Sequence, residues 1–394
     1  MTDTPAPPVP FSVFIPEETI ARILAQVRAY RMPPVPADEG DDDWSRGMNG
    51  VFLTRLRQHW LEQFDWWRWE ARLNAWPQYT ADIEGQRIHF YHVVGEAGGR
   101  RPLLITHGWP GSVVEFLDVI EPLAFPSRHG GDPADAFDLV IPSLPGYGFS
   151  GAPARPIGQR ATARLWRQLM ELLGYDRFVA QGGDWGSLVT SWLGLDHADA
   201  VQAIHLNMIG LRPTPATPQS PEEIAWLTRM GQNLQIGGAY FQQQATKPQT
   251  LAFALADSPM GQAAWILEKF HGWSDLTGGR TLESVYGLDR LLANVMVYLV
   301  TGSFGTSVWY YRALLEENGG NGLPDGRRVE VPTGFANFPG ESLYVAPPRS
   351  WAERAYQVVR WTDMPRGGHF AAMECPDLFV DELRAFARQI GYAS

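Results

Sequence analysis

Asp184 lies in the run Gly182-Gly183-Asp184-Trp185-Gly186, and its surroundings suit a carboxylate nucleophile better than those of any other acid in this 394-residue chain. A short β-branched and aromatic run, Arg177-Phe178-Val179-Ala180-Gln181, precedes it, and a helix-like segment, Ser187 to Leu193, follows. Glycines on both sides permit a strand-to-helix bend too tight for Cβ atoms, which lifts the central side chain clear of the sheet. A carboxylate raised in this way attacks an alkyl carbon that bears a leaving group and leaves an ester. On its own an aspartate in a glycine turn is ordinarily an Asx-turn residue, so the assignment depends on partners elsewhere.

Those partners occur in a telling order. The strand–Gly-x-Asp-x-Gly–helix pattern resembles the nucleophile elbow of α/β-hydrolases, in which nucleophile, acid and histidine follow one another along the chain. His369, in Gly367-Gly368-His369-Phe370, takes the third place as general base. Three acids compete for the second. Glu341, in Phe338-Pro339-Gly340-Glu341, is the first choice because it follows a late strand. Asp363 ends the next strand and is second, and Asp325 in Pro324-Asp325-Gly326 reads as a turn residue. The acid's task is to hold the imidazole tautomer that leaves Nε2 free and to stabilise the imidazolium. His107-Gly108-Trp109-Pro110 follows the first core strand, where such folds supply oxyanion-hole amides. The amides of Trp109 and Trp185 are assigned as donors, Pro110 is read as following a cis bond, and His107 as a structural hydrogen-bonder.

The elements that must hold these residues read as a mostly parallel, doubly wound α/β sheet. Residues 1–100 form an N-terminal wrapping region, with residues 1–10 proline-rich and extended or disordered. A helix opens at Pro16 with Ile20, Ile23, Leu24 and Val27 on one face, and a second carries Leu53, Leu56, Trp60, Leu61 and Phe64. Residues 101–211 form the first part of the core, with strands at Leu103–Thr106, Asp138–Ile141, Arg177–Gln181 and Ala203–Asn207. Ser112-Val113-Val114-Glu115 carries a capping-box pattern. Residues 212–320 follow a proline-rich linker and are helical in pattern, as a cap over the C-terminal ends of the strands where α/β folds bind ligands. Residues 321–394 resume the core with strands near Val329 and Val358 and a closing helix, Asp377 to Gln389.

Composition narrows the function classes. A net charge of −11 argues against nucleic acid and anionic membrane surfaces as partners. Cys375 is the single cysteine, which excludes an intramolecular disulfide and fits a reducing compartment. The longest apolar run, Leu291 to Val300, falls short of the ~18 residues that span a bilayer. The N-terminus shows neither the basic nor the apolar part of a signal peptide. A cytoplasmic protein is expected, with a homodimer admitted as its state. Gly146-Tyr147-Gly148 lacks the third glycine of a dinucleotide fingerprint, and the chemistry above needs no cofactor or metal.

The motifs together carry a resemblance. His107-Gly108-Trp109-Pro110-Gly111-Ser112, Gly182 to Gly186, Pro332 to Pro339, Pro365 to Ala372 and the N-terminal Phe64-Asp65-Trp66 look like those of the microsomal-type epoxide hydrolases. That resemblance implies an α/β-hydrolase fold, Asp184 as nucleophile, Glu341 as charge-relay acid and His369 as base. It also implies two cap tyrosines that hydrogen-bond the epoxide oxygen, with an epoxide and water as the reactants and a vicinal diol as the product. Ala239-Tyr240-Phe241 matches the first. The second falls in the doubled Tyr310-Tyr311, where counting from Thr301-Gly302 favours Tyr311. Membrane-bound members carry an N-terminal hydrophobic anchor, and this sequence departs from them in showing none. Haloalkane or haloacid dehalogenases share the Asp–acid–His logic and are the rival enzyme class, with Trp109 and Trp185 as halide ligands. A non-catalytic binding protein of the same fold is the rival of another kind. The aromatic content points to an apolar epoxide.

Overall fold

A computed structural model describes residues 6–98, 101–318, 320–324 and 326–392. Nine strands run in chain order: β1 (Val9–Pro10), β2 (Gln78–Ile83), β3 (Gln86–Val93), β4 (Pro102–Thr106), β5 (Asp138–Pro142), β6 (Phe178–Gly182), β7 (Val201–Leu206), β8 (Val329–Asn337) and β9 (Tyr356–Asp363). They form one sheet in the order β1-β2-β3-β5-β4-β6-β7-β8-β9. The pairs β1/β2, β2/β3 and β3/β5 are antiparallel and the remainder parallel. Every residue of β4, β5 and β6 is buried, as expected where helices cover both faces of a parallel sheet. The run Gly182–Gly186 begins at the last residue of β6, at the centre of this layer.

Between Pro221 and Asn318 the chain is helical, from Pro221–Gly237 to Trp309–Asn318. The N-terminal helix Glu17–Ala29 buries Ile20, Ile23 and Val27 and packs on the helices Pro259–Trp273 and Leu288–Thr301 of that segment. Helix Gly50–Glu62, capped by the Asn49 side chain accepting from the Phe52 amide, packs on Glu17–Ala29. Among the described residues no single helix is long and apolar enough to cross a membrane.

The structure amends the sequence reading in several places. The hairpin partner β2 was not expected, and its turn explains why: Glu84 and Gly85 take φ of 54° and 78°, a two-residue primed turn written without the usual Asn-Gly or Asp-Gly. Val9 and Pro10, expected to be extended or disordered, are extended, and their pairing with Thr80 and Tyr79 at the sheet edge is the added element. The capping box at Ser112 does not form. Its hydroxyl accepts from the Val114 amide at 3.3 Å and opens only a 3₁₀ turn, Val113–Phe116, because Glu115 points instead toward the buried core beside Gly111. The late strand β8 runs six residues past Val331, through Pro332 to Asn337. Asp325, expected as a turn residue, lies outside the described residues.

Candidate active site

Asp184 takes φ of 46°, one of two described non-glycine residues at positive φ, a conformation costing on the order of 1–3 kcal/mol. Its neighbours make the bend possible. A Cβ on Gly182 would lie 2.1 Å from the Gly186 carbonyl oxygen, and one on Gly186 would lie 2.0 Å from that of Thr106. Gly183 is under no such constraint, with only the Asn207 side chain at 3.6 Å. The carboxylate thus sits at the head of helix Asp184–Asp196, where first-turn amides lack intrahelical acceptors. Trp185 contributes one of those amides. The Trp109 amide donates to Asp184 Oδ1 at 2.8 Å, and Gly108 allows the approach, since a Cβ there would meet that oxygen at 2.2 Å. The Trp109–Pro110 bond is cis.

His369 hangs in the loop after β9. Its amide donates to the Trp273 carbonyl at 2.9 Å, and Gly367, at φ of 102°, donates to Asp275 Oδ2 at 3.0 Å. Glu374 holds the other side of this junction by accepting from the Asp275 and Phe370 amides at 2.8 and 3.0 Å. The cap segment Trp273–Asp275 and the histidine loop are therefore fastened together. His369 Nδ1 meets Glu341 Oε2 at 2.5 Å, and Nε2 faces Asp184 Oδ2 at 3.4 Å. Glu341 Oε1 accepts from the Leu343 and Tyr344 amides, both at 3.0 Å. Burial opposes charge on the imidazole, yet Glu341 and Asp184 outweigh it and hold its pKa well above the ordinary value. Asp363, the second choice as acid, instead accepts from Asn337 Nδ2 on the surface. Glu341 is the acid that the fold brings to His369.

A cavity of about 480 Å³ opens on Asp184 and is lined by Tyr240 and Tyr311 among mostly apolar side chains. Tyr311 Oη is buried without a hydrogen-bond partner among the described residues. Tyr310 points away and donates to Thr162 Oγ1 at 2.6 Å, which separates the doubled tyrosines. Tyr240 Oη lies 3.1 Å from Tyr344 Oη. The ring of Tyr240 stacks on Trp109 (5.4 Å, 8°), and that of Tyr311 meets Trp185 edge to face (4.6 Å, 79°). Burial, then neighbouring hydroxyls and Asp184, push both phenols well above the usual tyrosine range, so both are proton-bearing donors at neutral pH.

Several contributors escaped the sequence reading. Tyr344 follows Glu341 by three positions but was not singled out, because nothing in Glu341-Ser342-Leu343-Tyr344 announces that its hydroxyl reaches the cavity. Glu115, buried and pushed up to about 8 by desolvation, lines a second cavity of about 10 Å³ with Gln181, Asn207, Asp184 and His369. His107, as expected, is structural: its Nε2 accepts from the Leu144 amide at 3.1 Å. The indole N–H groups of Trp109 and Trp185 are both buried without a hydrogen-bond partner among the described residues. Among the described residues no group of His, Cys, Asp and Glu could hold a metal ion.

A strained carboxylate elbow at the end of a central parallel strand, with acid and histidine on later loops beneath a helical segment, defines an α/β-hydrolase. Comparison with known proteins agrees: residues 101–256 match the family described as alpha/beta hydrolase fold, and residues 8–116 match Epoxide hydrolase N terminus. The chain belongs to the epoxide hydrolase family. A Stigmatella aurantiaca protein with a provisional epoxide hydrolase name is 42% identical over 97% of this chain and 85% of its own. Epoxide hydrolase 1 of Oryctolagus cuniculus is 36% identical over 96% and 88%. The solved Aspergillus niger epoxide hydrolase superposes with a TM-score of 0.84 at 34% identity, covering 99% of this chain and 98% of that one. Neither rival, dehalogenase or non-catalytic binder, is favoured by these relatives.

Proposed function

We propose that this epoxide hydrolase opens an apolar epoxide through an ester on Asp184 and releases a vicinal diol. Asp184 attacks one ring carbon, and the carbon–oxygen bond breaks as Tyr240 and Tyr311 donate to the departing oxygen. Water then adds to the ester carbonyl while His369 Nε2 takes its proton. The charge on that carbonyl oxygen falls to the amides of Trp109 and Trp185, each such donor being worth about 3 kcal/mol. Collapse breaks the acyl–oxygen bond, the departing oxygen takes the proton held by His369 and the diol leaves, and the proton on the new Asp184 carboxyl returns to the tyrosine pair, which restores carboxylate, imidazole and phenols. The observation carrying this reading is that Asp184 lines one cavity together with two tyrosines while an acid-backed imidazole stands 3.4 Å from its carboxylate on the other side, at the small cavity. The small cavity beside His369 is about the size of one water.

Oxygen isotopes test the ester. With enzyme in excess over styrene oxide in ¹⁸O-water, the first turnover must give unlabelled diol, with the label entering the Asp184 carboxylate. Labelled diol from that turnover means that water attacked the ring directly, and the ester is then discarded. A cytoplasmic location is proposed as well, supported by the single buried cysteine, Cys375. Recovery of activity in the membrane fraction of the native host would contradict it.

A further inference from the structure

Arg212, half-buried, is the cation among the described residues that line the large cavity, a wall it shares with Leu188, Met208, Ile209, Trp226 and Met230. Three other partly covered arginines have acids beside them: Arg354 meets Glu223 at 2.9 Å, Arg160 meets Asp196 at 2.6 Å and Arg360 meets Glu382 at 2.6 Å, and Arg57 donates instead to the Val27 and Arg28 carbonyls. Arg212 differs. Among the described residues its guanidinium has neither an ion-pair partner within 4.0 Å nor a side-chain hydrogen bond. Its backbone, by contrast, is fixed, with its amide donating to the Asn321 carbonyl and its carbonyl accepting from the Leu323 amide, both at 2.9 Å. Desolvation pulls its pKa down, with Tyr344 as the neighbour that partly offsets this.

A guanidinium stays charged under all ordinary conditions and presents a planar fork that fits a carboxylate. Holding it in an apolar wall without a counter-ion is unfavourable, and an arriving carboxylate relieves that cost. The same cavity carries Asp184, with Glu341 behind the neighbouring His369, so an anionic substrate group is repelled from these carboxylates and attracted to Arg212. We infer that the cavity takes epoxy acids, with the oxirane at Asp184, an apolar body between, and the carboxylate on Arg212. This inference rests on the large cavity being the epoxide site.

The test uses matched pairs of epoxides that differ only in a terminal carboxylate or hydroxymethyl group, with spacers of increasing length. The wild-type protein should favour the acid at one spacer length by about tenfold or more in kcat/KM, the size of a charge-assisted hydrogen bond. Arg212→Leu should bring the acid-to-alcohol ratio to one or below. Arg212→Lys keeps the charge without the fork and should fall between. Equal ratios in wild type and Arg212→Leu at every spacer, or no acid preference in the wild type, overturn the inference while leaving the epoxide site intact. Should the leucine variant not fold, the wild-type and lysine ratios decide the matter alone. Failure of the wild type on acids, alcohols and styrene oxide alike removes the site, and Arg212's role with it.

Discussion

His369 Nε2 stands 3.4 Å from Asp184 Oδ2, within ion-pair range but outside the geometry of a hydrogen bond. The relationship gives the proposed two steps an internal clock. In the resting protein two carboxylates hold the imidazole pKa high against the pull of burial. Once Asp184 becomes a neutral ester, one of them is gone, and the imidazole pKa must fall. His369 thereby becomes a competent base when the intermediate forms. The apparent pKa governing ester hydrolysis, measured by single-turnover kinetics across pH, should lie below the His369 pKa found by NMR titration of the free protein. Coincident values would show that Asp184 exerts no such control.

His369→Gln should stop the reaction between its two steps. Alkylation needs Asp184 and the tyrosines, whereas hydrolysis needs a base, so mass spectrometry should find a protein heavier by one substrate with the addition on Asp184. Glu341→Gln leaves the ring in place but weakens the support for imidazolium, and hydrolysis should slow by roughly 10²–10⁴-fold with alkylation less affected. An unmodified His369→Gln protein after prolonged exposure to a turned-over epoxide would count against the covalent route.

The doubled tyrosine supplies an internal control. Tyr311→Phe and Tyr240→Phe should each slow ring opening, on the order of tenfold or more, since general-acid assistance contributes about 10²–10⁴-fold in total. Tyr310→Phe loses a buried bond to Thr162 and should lower Tm while leaving alkylation near the wild-type rate. Tyr344→Phe removes the hydroxyl partner of Tyr240 and should slow alkylation less than Tyr240→Phe does. Stopped-flow tryptophan fluorescence, with Trp109 and Trp185 against the two rings, follows the step directly.

Local pattern made much of this architecture readable. The Gly182–Gly186 bend shows because its glycine spacing is local, although Gly186 is required by the distant Thr106 carbonyl, and β4, β5 and β6 show as continuous apolar runs. Glu341 could be ranked first among three acids only by its place after a strand; its selection over Asp363 is a matter of how β8 and β9 end, which periodicity does not report. Tyr344 and Asp275 were invisible for the same reason, and Glu115 reads only as half of a capping box. Tyr344 and Asp275 act across the join of the helical segment and the sheet layer, through contacts between residues far apart in sequence, and each is an ordinary residue in its own segment. The hairpin β2–β3 was half seen because Glu84-Gly85 is an unusual pair for its turn.

The two glycine positions beside Asp184 should respond differently to alanine. At residue 186 a methyl group meets the Thr106 carbonyl at 2.0 Å, backbone against backbone, so Gly186→Ala must distort the elbow, costing several kcal/mol by analogy with overpacked cores, roughly 1–3 kcal/mol or more. Gly183→Ala meets only the Asn207 side chain at 3.6 Å, and its φ of −118° suits any residue. Thermal unfolding should show Gly183→Ala near wild type and Gly186→Ala much lowered or insoluble. Equal tolerance of both would mean that the elbow is looser than these contacts allow.

Acid stability should report on Glu382, which ties the last helix, Pro376–Gln389, to β9. Arg360 Nε and Nη2 donate to its two oxygens at 2.6 and 2.7 Å, and Thr362 Oγ1 adds a third bond at 2.9 Å; His205 lies 3.7 Å away. Burial alone would raise this carboxyl, but these partners bring it down to about 2. A carboxylate depressed on folding stabilises the protein above its unfolded pKa of ~4.3, and that contribution fades as pH falls toward the folded value. Glu382→Gln should therefore be less stable than wild type in urea titrations at pH 7, with the gap narrowing as pH drops from about 4 toward 2. A gap that stays constant over that range would show that the pair with Arg360 contributes through packing and not through charge.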